Sequence, residues 1–115
     1  VSIDNPKFNH IFVDVYGRHV YWVICPVENF QKLIYNHFGK KVKKSKLEIG
    51  YFNVYNYQND KVCVMWFLTD AIDIITHEVF HCTSWIMKYS NIKLSNSSEE
   101  AYAYLIQYII QQMKL

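Results

Sequence analysis

The sequence predicts an α+β domain, with one small sheet against helices, and three observations lead there. Alternating apolar positions mark four strands. Helical periodicity marks three helices. The two kinds of segment fall in the order β-β-α-β-β-α-α. The chain has 115 residues, enough for a single domain with one core of its own, and no repeat or linker divides it.

Each element has a local reason. Residues 10–16, "HIFVDVY", alternate Ile11, Val13 and Val15 with more polar neighbours, and 19–25, "HVYWVIC", resume the pattern after Gly17 and Arg18. Together they read as a β-hairpin. Pro26 suits the first position of a helix whose apolar face is Val27, Phe30, Leu33, Ile34 and Phe38, and Gly39 stops it. Residues 49–55 and 61–67 read as two strands around a turn at Gln58-Asn59-Asp60. "KVCVMWF" is apolar on both faces, as a central strand would be. Thr69 or Asp70 is placed to cap a helix running to about residue 89, and a last helix spans 98–114. The sheet is expected to be mixed or antiparallel.

Composition limits the function. Apolar residues make up 51% and charged residues 19%, which argues against disorder. A net charge of +2 gives no reason to expect nucleic acid, and no apolar run is long enough for a membrane span. Cys25, Cys63 and Cys82 have neither disulfide-framework nor metal-knuckle spacing, so a reducing, cytoplasmic setting is expected. "VSIDNPKFNH" lacks the apolar stretch of a signal peptide. Between Lys40 and Lys46 lie five lysines. They read as a solvated loop or, more sharply, as a lid or a contact for an acidic partner.

The chemistry is concentrated in "THEVFHC", residues 76–82. Two histidines and a glutamate in an apolar segment need compensation for their lost hydration. His77 and His81 are four residues apart, on one face of a helix, and imidazole nitrogen is a preferred zinc donor. Glu78 sits about 100° round the helix from His77, beside such a metal, where it can take a proton from a bound water. In a chain of this composition H-E-x-x-H arises by chance about once in a hundred sequences. The bland reading, two core histidines satisfied by carbonyls, needs several partners at once. A catalytic zinc needs a third ligand, and no histidine follows His81. Glu99 and Glu100 are the acidic residues downstream, and Ser97-x-x-Glu100 is also a capping box.

"HEVFH" followed by "SSEEAYAYL" resembles the gluzincins, zinc peptidases whose third ligand is a glutamate on the helix after H-E-x-x-H. It also looks like short H-E-x-x-H proteins encoded by bacteriophages. The resemblance covers residues 70–110; the N-terminal half is similar only in having a small sheet before the active helix. It implies a minimal zincin domain in which the sheet packs on the H-E-x-x-H helix. It also implies Zn2+ held by His77, His81 and Glu100, with Glu78 as base and a peptide or protein as substrate. Ala101 after Glu100 favours that residue over Glu99. Where thermolysin-like relatives have an aspartate four residues after the ligand, this chain has Tyr104. Tyr104 is the candidate oxyanion donor, and Tyr104 or Asp73 the candidate partner of a ligating histidine. Two further readings are a non-catalytic interaction domain that keeps the zinc, and a zinc hydrolase of a non-peptide amide. His10, His19 and His37 read as surface or hairpin residues, and Cys82 as a small core residue.

Overall fold

The computed structural model describes residues 6–115. Its order is β1 (Asn9–Val13), β2 (Arg18–Ile24), α1 (Val27–Phe38), β3 (Gly50–Tyr57), β4 (Asp60–Phe67), α2 (Ile72–Tyr89) and α3 (Glu99–Met113), with a single 3₁₀ turn at Lys44–Lys46. Residues 1–5, on which part of the signal-peptide reading rests, lie outside the described residues.

The strands form one four-stranded sheet in the order β1-β2-β4-β3. It is mixed: β2 and β4 run parallel, with Val20 opposite Cys63 and Ile24 opposite Phe67, while the outer pairs are antiparallel. The expected central strand is β4. Its alternation feeds both faces: Val62, Val64 and Trp66 enter the core under α1, and Cys63, Met65 and Phe67 enter the core under α2 and α3. Being apolar on both faces is therefore a requirement of its position. The β3–β4 hairpin closes on Gln58 and Asn59, both with positive φ, as a tight two-residue turn needs.

Helix α1 lies alone on one face. Phe30 and Ile34 are fully buried, Val27, Leu33 and Phe38 pack beside them, and Phe30 stacks on Trp66 with ring centroids 5.6 Å apart. Gly39 ends the helix in the left-handed conformation, its N–H donating to the Tyr35 carbonyl. Helices α2 and α3 share the other face, where Ile75, Val79, Cys82 and Ile86 meet Leu105 and Ile109.

Two caps differ from expectation. Ala71, not Thr69 or Asp70, occupies the N-cap of α2, and no side chain caps it; Thr69 Oγ1 accepts the Ala71 N–H at 3.3 Å instead. The capping box at Ser97 and Glu100 does not form. Ser98 is the N-cap of α3, and its hydroxyl turns back to the Lys93 carbonyl, closing the loop rather than the helix.

The two ends of the sheet differ. At one end, Arg18 pairs with Asp60 at 3.1 Å, and its guanidinium lies over the ring of Tyr89, the last residue of α2. At the other end, Phe67 pairs with Gly50, and the chain leaves β4 to begin α2.

Candidate metal centre

The first half of α2 lies at the second end of the sheet. Helical repeat puts Ile75, Val79 and Cys82 into the core and leaves His77 and His81 exposed, one turn apart. Contrary to the sequence expectation, Glu78 alone of the three is buried, and the two histidines keep their hydration. Their Nε2 atoms are 3.3 Å apart, with the rings nearly perpendicular at 78°. Two nitrogens bound at about 2.05 Å to a tetrahedral zinc stand about 3.4 Å apart, so this pair, which is also within hydrogen-bond reach, has a separation compatible with a shared ion. A second histidine pair gives the contrast. His10 Nε2 and His19 Nδ1 are 2.7 Å apart with stacked rings, which is hydrogen-bond geometry and too close for that arrangement.

Glu78 turns from the histidines toward the sheet. It is one of two buried polar side chains among the described residues, 8% exposed. Its carboxylate, with the two imidazoles, forms a cluster in which all three donor atoms lie within 4.8 Å of one another. Burial pushes the Glu78 carboxyl above its ordinary value, and the two histidines partly oppose that shift. A carboxylate raised in this way holds a proton more readily, as a general base near neutral pH must.

Room for Glu78 comes from Gly50, the first residue of β3. A Cβ there would stand 2.7 Å from Glu78 Oε2 and 3.0 Å from Ile74 Cγ2. Gly50 has no place among the site residues expected from the sequence. The available signal was a glycine at the edge of a strand pattern, which marks a close approach by another group.

Two clefts flank the pair, and His77 and Asp73 belong to both. One is a cavity of about 550 Å³ walled by the segment Ser45–Gly50, Ile74 and Glu78. The other is apolar and lies between Ile72, Thr76, Phe80 and His81. Glu48 and Asp73 are the further carboxylates of the first cavity.

The structure does not bring Glu100 or Tyr104 to this place. After α2 the chain folds back immediately: the Ile92 N–H donates to the Met87 carbonyl, and the Tyr102 hydroxyl donates to the Ile92 carbonyl at 2.6 Å. Helix α3 therefore starts beside the C-terminus of α2. Tyr104 is 65% exposed and lines, with Ala101 and Tyr108, a groove against Val13–Tyr16 at the Arg18 end of the sheet. His77 lies twelve residues before Tyr89, about 18 Å along the helix from that end. Glu99 and Glu100 are both exposed in the first turn of α3, outside the cluster.

Cys82 is fully buried. A hydrogen bond with Cys63 and burial raise its thiol well above the ordinary value, so it stays protonated in the core and is no thiolate ligand. All three cysteines are free. No helix of the described residues is long and apolar enough to cross a membrane. In comparisons with known proteins, no family model, no curated protein and no solved structure matches the chain.

Proposed function

We propose that the chain is a zinc-dependent hydrolase of the metallopeptidase type, a small zincin-like domain that acts on peptide bonds. The observation that carries this reading is the pairing of two imidazole nitrogens 3.3 Å apart with a buried carboxylate in the same cluster. Zinc, when bound, supplies an acidified water and polarises a carbonyl oxygen. His77 and His81 would hold the ion, and Glu78, buried beside them, would be the group placed to take a proton from a bound water. Glu48 and Asp73 lie in the wall of the same cavity, outside the three-residue cluster, and either would have to swing inward to supply a third ligand. Strand β3 is an edge strand that begins beside Glu78, so a peptide lying along it as an added strand would pass the site.

A peptide-library digestion with zinc-loaded protein tests this. Cleavage by the wild type that disappears in Glu78→Gln supports the reading. Equal cleavage by both proteins would remove Glu78 from the chemistry.

A further inference from the structure

The lysine run adjoins the site. Lys46 lines the 550 Å³ cavity together with His77 and Glu78; the rest of the run precedes it in the chain, with Lys41 on a separate groove beside Gln31 and Tyr35, and every lysine is exposed. Five lysines against Glu48 leave segment 40–48 at +4. The remainder of the chain, with seven basic and nine acidic residues, is at −2. The chain's excess positive charge therefore lies in the segment that reaches the candidate metal centre through Lys46.

This segment is also held in place, unlike an ordinary solvated loop. Leu47 is buried in the core under α1. Gln31 Nε2 donates to the Val42 carbonyl at 2.9 Å, and Lys44 Nζ pairs with Glu28 at 2.9 Å. The 3₁₀ turn closes with the Leu47 N–H on the Lys44 carbonyl. Lys40, Lys41, Lys43 and Lys46 make no ion pair among the described residues. Their charge is thus presented from a fixed segment with no carboxylate partner among the described residues, Lys41 standing 6.0 Å from the centre of the Tyr35 ring. Such a segment concentrates anionic ligands at a cleft mouth.

We infer that Lys40–Lys46 is the recognition element of the site and selects peptide or protein segments carrying several acidic side chains beside the bond presented to His77, Glu78 and His81. The inference rests on the hydrolase reading of that site. A peptide fits better than a nucleic acid because the cationic wall leads directly to the β3 edge. Glu48 and Asp73, on the same cavity, would oppose a polyanion drawn fully inside.

The test is binding, measured by fluorescence anisotropy on zinc-loaded Glu78→Gln protein, so that nothing is cleaved. The probes are a short labelled peptide rich in Glu, its counterpart with Gln at those positions, and a short single-stranded oligonucleotide. The Glu peptide is expected to bind about tenfold more tightly than the Gln peptide at low salt. That preference should shrink as salt rises. It should vanish when Lys40, Lys41, Lys43 and Lys46 are changed to Ser, with Lys44 kept as the anchor, and return when they are changed to Arg. Equal affinity for the two peptides, no measurable binding of the Glu peptide, or tighter binding of the oligonucleotide would each overturn the inference. Should the Ser variant lose its fold, the Glu-against-Gln comparison and its salt dependence on the unaltered loop still decide the matter. A zinc titration of the same protein reads the hydrolase proposal separately. Zinc bound with no acidic preference removes this inference alone, and acidic preference without zinc removes the hydrolase reading alone.

Discussion

The carboxylate of Glu78 occupies the space that a side chain on Gly50 would fill, with Oε2 2.7 Å from the position of the absent Cβ. A residue in the edge strand thereby sets where the proposed base can stand. Gly50→Ala would push Glu78 and Ile74 aside. The expected result is a loss of about 1–3 kcal/mol in stability, the usual cost of overpacking, with zinc affinity kept and hydrolysis reduced. Thermal melting and a zinc titration of the variant check this. Unchanged stability would mean that Glu78 yields freely.

Removing the base without removing its shape separates binding from chemistry. Glu78→Gln should keep zinc and the fold, and any hydrolysis should fall by on the order of a hundredfold or more. Turnover by stopped assay, alongside metal content, reads both halves of this expectation.

The position of α3 makes a third prediction. Glu100→Ala should leave zinc affinity nearly unchanged, and Tyr104→Phe should leave turnover unchanged, because Tyr104 lines the groove at the Arg18 end of the sheet and Glu100, in the first turn of the same helix, is outside the histidine cluster. Changing Glu48 and Asp73 together to Ala should weaken zinc binding. Calorimetric titration of the variants decides between these carboxylates. A sharp loss of zinc in Glu100→Ala would show that the first turn of α3 does reach the histidines.

Acid should weaken the other face of the sheet. His37 packs edge-on against Phe8 and stacks on Tyr57 at 5.0 Å, its Nε2 buried without a partner. Burial holds its imidazole below the ordinary 6.5. A histidine kept neutral by the fold contributes stability that is present above the unfolded value and lost as pH falls below it. The melting temperature should therefore drop as pH is lowered from 6.5, and His37→Gln should flatten that part of the curve. An identical slope in the variant would assign the loss to other groups.

Much of the architecture could be read locally. The two-sided apolarity of "KVCVMWF" identified a central strand, and Pro26 and Gly39 bracketed α1, because strand and helix periodicity and end signals act within a few residues. His77, Glu78 and His81 were legible for the same reason: one helix fixes their spacing. Two features depended on contacts distant in sequence. Gly50 meets Glu78 across 28 positions of chain; a glycine at a strand edge signals a close approach but not which group makes it. The start of α3 is set by how residues 90–98 fold back through Ile92 onto Met87 and Tyr102. Spacing along the chain made Glu100 long enough in reach, but the direction of that return carries it to the far end of α2.

The most direct measurement is the zinc content of purified protein after equilibration with excess zinc and removal of the unbound metal, for the wild type, His77→Ala and His81→Ala. About one zinc per chain is expected in the wild type and loss of it in either variant, since a single remaining imidazole cannot hold the ion tightly. Full zinc content in both variants, or none in the folded wild type, would contradict that expectation.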